Sequence, residues 1–407
     1  MTRRVMSPAA TRLAALGALT LFVGACSHAA QGAASPGDRA AAAVAEKNPA
    51  PAAPRAAPTR PAMPALSSSN GLAPLAVTRI GGIDYVNAAD VAKRLSLNLA
   101  WVEPGKKLTL TDAANRIALD ADNREARVNG LRLFLGNPTR TRGGQLYLSR
   151  IDAERSLTPF VRPGLGVARP PALKIIALDP GHGGRDDGTE NKAVGLKEKT
   201  LTLDVAFRLK KLLEAAGYKV VMTRTEDREL GERKDVDLPL RADLANRAGA
   251  DLFISIHFNA AAKDTRGTEV FWLAPRTQRS TDSWSIVGED DSVPDDLPGN
   301  RSDHWNAALA AAMHRALLQT LKTEDRGIKL AHWAVLRTLK CPGVLVEPAI
   351  LSNDAEARRV AKPEFRQQVA EALAAGVRDY AATLDALRPQ PSTASATPAP
   401  LSPSNTR

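Results

Sequence analysis

LKIIALDPGHGG (residues 173–184) and DLFISIHFNA (residues 251–260) each place a histidine just after an apolar stretch of strand length, His182 in the first and His257 in the second. Between them, residues 200–216 carry apolar side chains at helical spacing and stop at Gly217, YKVVMT (218–223) reads as a further strand, and residues 240–248 read as a helix. Strands alternating with helices specify an α/β layer: an open, mostly parallel sheet flanked by helices. In such sheets ligands collect beyond the carboxyl ends of the strands. His182 follows the first strand, His257 ends the third, and Glu347 closes the strand GVLVE (Gly343–Glu347), so three distant segments converge on one rim.

GLKEKT (195–200) sets Glu198 between the two histidines. A closed structural zinc site normally takes four protein ligands. Two histidines and one carboxylate leave a fourth tetrahedral position for water, whose pKa falls to roughly 7 on the metal. His182, Glu198 and His257 therefore read as the ligands of one catalytic Zn2+, and Glu347 as the carboxylate that exchanges protons with the attacking water. Each residue also has a plainer reading. A lone histidine after a strand is commonly a hydrogen-bonded structural residue, and Glu198 also suits the first turn of a helix, where an acid interacts favourably with the dipole. Glu347 is harder to explain away, because a carboxylate directly after VLV at the end of a central strand is costly without a partner.

The remaining chain surrounds this core with other material. Arg3, Arg4 and Arg12 precede an apolar run at 13–25 that ends in small residues, the anatomy of an export signal and too short for a stable span. VGAC (23–26) resembles a bacterial lipobox, which makes Cys26 a lipidated membrane anchor; a cleaved ordinary signal is the alternative. Cys341 is the second of the two cysteines, and a bridge from the signal to the core is implausible. Residues 26–74 are dominated by Ala, Pro, Ser and Gly and read as a disordered tether, and residues 389–407 as a disordered tail. The signal arginines account for 3 of the +11 formal net charge, leaving +8. That surplus suits an acidic polymer or an anionic surface, while no recognition motif or basic aromatic array points to nucleic acid.

Residues 75–165 have a separate pattern. IDYVNAADVAKRL (83–95) gives a strand and an amphipathic helix, and KKLTLT, RIALDAD, EARVNG, LRLFLG and QLYLSR alternate apolar and polar residues, with turns at Asn129-Gly130 and Gly143-Gly144. This is a small α+β accessory domain ahead of the α/β unit at 173–388. Its element order resembles the copper amine oxidase N-terminal-like domain, although the stretch holds no histidine or cysteine. A targeting or spacing role and an inert spacer both fit it.

The α/β half carries a closer resemblance. Gly181-His182-Gly183-Gly184, Gly195-Leu196-Lys197-Glu198-Lys199, TRTED (223–227), LRADLANRAGADLFISIHFNA (240–260), RGIKLAHWAVLR (326–337) and VEPAILSN (346–353) follow the order and spacing of zinc-dependent N-acetylmuramoyl-L-alanine amidases of the amidase_3 family, over residues 174–384. The resemblance implies zinc ligands at His182, Glu198 and His257, a catalytic Glu347, and hydrolysis of the amide between N-acetylmuramic acid and L-alanine in peptidoglycan. It also implies a cell-envelope or periplasmic setting, with peptidoglycan as partner and an activator protein as a further candidate. An exported zinc peptidase and a noncatalytic peptidoglycan-binding protein are the alternatives.

Two stretches depart from the family pattern. Pro348-Ala349-Ile350-Leu351 replaces a small residue and an aromatic ahead of Ser352-Asn353, and polar residues 274–303 form either a lid or a plain surface loop. Of the other histidines, His28 falls in the tether, exposure or a core edge accounts for His304 and His314, and His332 could approach the substrate groove. Arg241, Asn246 and Arg266 suit substrate carboxylates or local capping, with structural roles preferred for the first two.

Overall fold

The computed structural model describes residues 73–167, 170–281 and 291–388. The export signal, the Cys26 anchor, all but the end of the tether and the 389–407 tail lie outside the described residues. No helix among the described residues is long and apolar enough to cross a membrane.

The N-terminal part opens with the hairpin β1 (Val77–Ile80) and β2 (Ile83–Asn87), then α1 (Ala88–Arg94), whose first turn is capped by the Asn87 side chain accepting from the Ala89 N–H. A meander follows: β3 (Asn98–Glu103), β4 (Lys107–Thr111), β5 (Arg116–Asp120), β6 (Glu125–Val128) and β7 (Leu131–Phe134). Asn129 and Gly130 turn β6 into β7 with positive φ at both positions, as a tight hairpin requires. β8 (Arg140–Arg142) and β9 (Gln145–Ser149) join the first hairpin in a four-stranded antiparallel sheet of order β1-β2-β9-β8. A helical turn at Asp152–Leu157 and α2 (Thr158–Val161) lead out of it.

The C-terminal part alternates as its sequence pattern predicts. β10 (Ile175–Pro180) leads through the two-residue strands β11 (Glu190–Asn191) and β12 (Leu196–Lys197) into α3 (Glu198–Ala215), β13 (Lys219–Met222), α4 (Lys234–Arg247) and β14 (Leu252–Ile256). Then come β15 (Thr268–Leu273), α5 (Asp303–Leu321), β16 (Asp325–Ala331), α6 (Ala334–Arg337), β17 (Gly343–Glu347), α7 (Asp354–Val360) and α8 (Pro363–Ala386). Strands β13, β10, β14 and β17 pair in parallel, β15 runs antiparallel to β17, and β16 returns parallel to β15. Side chains alternate between two cores. Ile176, Leu178, Leu252, Ile254 and Ile256 pack against α3, α5 and α8, while Ala177, Phe253, Phe271 and Leu345 meet α4 and α6. Burial of both faces is why these strands read as continuous apolar runs.

The two parts share a sheet, which their sequence patterns do not reveal. β7 lies parallel to β16 through Leu133 and Ile328, so the meander extends the layer to eleven strands in the order β13-β10-β14-β17-β15-β16-β7-β6-β5-β4-β3. The Arg132 N–H donates to the Asp325 carboxylate at 2.8 Å, and one apolar core takes in both Leu133 and α5.

Because β15 runs against β17, the chain leaves Leu273 at the edge of the sheet opposite the one where β10, β14 and β17 end. The described parts of 274–303 are pinned at that far edge. Thr281 N–H donates to the Leu330 carbonyl, and the Ser280 hydroxyl accepts from the His332 N–H. These residues are scaffold rather than a cover for the rim that carries His182 and His257. His332 belongs to the same far edge, with Nε2 3.0 Å from the Gln278 carbonyl. Its expected approach to a substrate groove on that rim is corrected, and the reversed direction of β15 and β16 is the cause.

A shared sheet and core couple the two parts energetically. Leu133→Ala, a truncation in the N-terminal meander, is expected to cost about 2–5 kcal/mol and to lower a single thermal transition of the whole protein. Calorimetry that resolves a second transition at the parental midpoint would contradict this coupling.

Candidate functional site

Glu198 is the first residue of α3 and is almost fully buried. Its Oε1 lies 3.2 Å from His182 Nε2 and 3.0 Å from His257 Nδ1, and also accepts from the Phe258 N–H. Oε2 accepts from the Thr189 N–H at 2.7 Å. Burial by itself would raise this carboxyl, but the hydrogen bonds of His182 and His257 outweigh it and hold the group well below the usual carboxylate range. The three ligand atoms lie within 4.8 Å of one another, and the two imidazole rings meet edge to face at 4.8 Å. Two nitrogens and one oxygen at this separation are a donor set that fits a small divalent cation.

The loop that presents His182 is strained and buttressed. His182 itself has φ +62°, a conformation disfavoured for a residue with a side chain, and it persists because surrounding groups determine it. Arg241 donates to the Pro180 and His182 carbonyls, and Arg224 to the Pro180, Gly181 and Lys199 carbonyls. Arg241 also pairs with Asp179 at 3.0 Å and Asp237 at 2.6 Å, and Asp179 accepts from the Thr223 and Ser255 hydroxyls. Burial would raise Asp179, but Arg241 and the two hydroxyls outweigh it and keep the carboxyl lowered. Arg241 thus has the structural role its sequence context favours.

Asp186 holds the other side of His182, with Oδ2 2.9 Å from Nδ1, and so fixes the ring's orientation and tautomer. Gly181 is required beside the second imidazole, since a Cβ there would lie 2.2 Å from the His257 ring.

Glu347 ends β17 at the same rim, 6% exposed. The register of β14 with β17 pairs Ile256 with Val346, which brings His257 and Glu347 to adjacent positions. Burial, with the Glu198 and Glu269 carboxylates nearby, pushes its carboxyl well above the usual range, and its Oε2 has no hydrogen-bond partner. The orphaned oxygen thus lies buried beside a donor set that fits a cation, the setting a proton-exchanging carboxyl needs. Pro348 to Leu351, where the sequence departs from the family pattern, continue from Glu347 as buried backbone. The Ile350 and Gly267 N–H groups both donate to Glu356, and Asn353 caps α7.

Other candidates fall outside this cluster. Arg266 is exposed and paired with Glu324, and Asn246 bonds the Thr338 carbonyl and the Lys340 N–H. His304 contacts the Pro163 carbonyl, and His314, fully buried where exposure or a core edge was expected, faces Asp325. Sequence reasoning passed over Asp179, Arg224 and Asp186. The argument that singles out Glu347, an acid ending an apolar strand, applies equally to Asp179.

Comparison with known proteins gives a consistent picture. Residues 176–379 match the model of the Amidase_3 family, described as N-acetylmuramoyl-L-alanine amidase. A germination-specific N-acetylmuramoyl-L-alanine amidase of Bacillus subtilis (strain 168) is 33% identical over 51% of this chain and 79% of that protein. The N-acetylmuramoyl-L-alanine amidase AmiC of Neisseria meningitidis serogroup B is 35% identical over 56% of this chain and 57% of its own length. An uncharacterized cell wall amidase of Bacillus anthracis is 32% identical over 51% of this chain, and the match spans 35% of that protein. The chain thus spans about half or less of the length of several curated relatives it matches. Among solved structures, the N-acetylmuramoyl-L-alanine amidase of Clostridium difficile 630 aligns at 29% identity with a TM-score of 0.42, over 52% of this chain and 98% of that one.

Two substitutions test the buttressing. Arg241→Met leaves Asp179 buried without its cation, and urea denaturation is expected to report a loss of about 3–5 kcal/mol. Asp186→Ala is expected to weaken the binding of a divalent cation added to the protein about 10–100-fold in competition with a chelator, while the metal-free protein melts near the parental temperature.

Proposed function

This chain belongs to the N-acetylmuramoyl-L-alanine amidase family Amidase_3, and on that footing we propose that it hydrolyses the amide between N-acetylmuramic acid and L-alanine in peptidoglycan, with zinc held by His182, Glu198 and His257. The observation that carries the proposal is the meeting, at one sheet rim, of two imidazoles and a carboxylate with a separate buried acid whose second oxygen is unpartnered. All four residues lie inside the stretch that matches the family.

A bound zinc ion supplies Lewis acidity, lowering the pKa of a water and polarising an amide carbonyl. The chain supplies the rest. Asp186 orients the His182 ring, the Thr189 and Phe258 N–H groups hold both oxygens of Glu198, and the Arg224 and Arg241 guanidinium groups keep the 180–182 backbone in place. Glu347 takes the proton of the attacking water on its free oxygen and returns it to the departing amine of L-alanine. Its burial suits that exchange, since a carboxyl held above the usual range gives up a proton nearer neutral pH.

The sequence supports a wider setting for the reaction. An export signal, a lipid anchor at Cys26 and a proline-rich tether suit an envelope enzyme that reaches the cell wall from a membrane surface. An activator protein is a further partner to seek, and the described parts of 274–303 give it no cover over the rim to displace.

Digestion of purified sacculi followed by mass spectrometry tests the reading. Stem peptides with a free L-alanine amino terminus and unsubstituted glycan are expected, whereas cleavage within the stem peptide would favour a peptidase. Glu347→Gln is expected to keep the fold and the bound zinc and to lose at least about 10²-fold in turnover; parental turnover in that variant would remove Glu347 from the mechanism.

A further inference from the structure

Glu269 on β15 is the cross-strand partner of Glu347 on β17. Directly paired positions in an antiparallel ladder bring their Cβ atoms to about 5 Å, close enough for the two carboxyl groups to share a proton in a buried setting. In the described structure they do not. Glu269, 1% exposed, accepts from the Lys329 ammonium, from the Asn259 side-chain amide and from Arg326 Nε at 3.3 Å. Glu347 is left with Oε2 unpartnered. The tether is built from two separate segments: Asn259 follows β14, while Lys329 and Arg326 belong to β16.

Lys329 is itself an unusual choice. It is 5% exposed, and its ammonium lies 5.6 Å from the centre of the Phe271 ring and 5.7 Å from that of Phe134. A lysine this buried must be paired and desolvated by neighbours, and the aromatic faces supply both attraction and exclusion of water. Phe134 comes from β7, the N-terminal strand that joins the shared sheet. The accessory part therefore closes the far side of the ion pair that lies next to Glu347.

We propose that Lys329, assisted by Asn259 and Arg326, is a positioning residue that holds the Glu269 carboxylate turned away from Glu347, so that Glu347 keeps one oxygen free for substrate water. Without the ammonium, two buried carboxyl groups stand side by side, and the stable arrangement is a carboxyl–carboxylate hydrogen bond between them. That bond occupies the oxygen that catalysis needs. The charged groups facing Glu347 are Glu198 from α3, Glu269 from β15 and Lys329 from β16, and the Asn259 N–H lies beside it. The inference rests on the proposed role of Glu347 as the proton carrier, and its test contains one arm that does not.

Lys329→Met is expected to lower kcat at least about 10-fold with KM for muropeptide within about 2-fold and with zinc content unchanged. Glu269→Gln takes the carboxylate from the Lys329 ammonium and is expected to melt below the parent, while kcat measured where it stays folded remains within about 3-fold of the parental value. The double variant Glu269→Gln/Lys329→Met is expected to recover most of the kcat lost in Lys329→Met, because removing the second charge removes the competitor. Rescue by a second substitution at a buried site is not what a merely structural lysine produces. Full kcat in Lys329→Met, or a double variant no better than the single, overturns the proposal. If Lys329→Met does not fold, the charge-balanced double variant decides, and a folded, zinc-loaded double variant more than about 10-fold slower than Glu269→Gln counts against it. Independently of activity, a crystal structure of metal-free Lys329→Met is expected to show Glu269 and Glu347 oxygens about 2.6 Å apart. If the parent releases no stem peptide from sacculi while that contact appears, the amidase reading fails and the tether stands; carboxyl groups still apart in that crystal overturn the tether itself.

Discussion

The site depends on the buried ion pair of Asp179 and Arg241. Asp179 sits near the end of β10, three residues before His182, and Arg241 reaches it from α4 while holding the Pro180 and His182 carbonyls. Removing either partner leaves an uncompensated charge in a dry interior, so the pair is fixed wherever the protein is folded. Such rigidity is what a loop with a left-handed histidine needs, because that strain persists only when the surrounding structure over-determines it. The Arg224 bonds to neighbouring carbonyls add a second clamp on the same few residues.

A rigid rim then makes sense of where the candidate ligands and the candidate acid stand. The parallel strands β10, β14 and β17 deliver His182, His257 and Glu347 to one edge, and the start of α3 delivers Glu198 beneath them. Among the fully buried side-chain atoms of His182, Glu198, His257 and Glu347, the one without a hydrogen-bond partner is the second Glu347 oxygen. Buried polar groups are normally satisfied, so an orphan in the middle of a well-bonded cluster marks the position where a molecule from outside completes the set.

The N-terminal meander enters this picture through the sheet. Its β7 pairs with β16, its Arg132 bonds Asp325, and its Phe134 covers Lys329. A segment that sequence patterning presents as a separate module is therefore part of the wall behind the candidate site. The reversal of β15 has an equally large effect in the other direction, since it sends residues 274–281 and His332 to the far side of the layer.

The local content of the site was legible in the amino-acid sequence. Apolar runs ending in His182, His257 and Glu347 identify buried strands with polar ends, helical spacing identifies the crossovers, and together they determine an α/β layer with its chemistry at one rim. The Asn129-Gly130 turn follows from two residues and their neighbours. Tertiary structure alone decided what depends on pairing between distant strands: the antiparallel β15, the junction of β7 with β16, the fully buried His314, and the opposition of Glu269 to Glu347. A strand's own residues record which faces are buried, but its neighbour and its direction are settled by long-range packing. No periodicity within the strand encodes those.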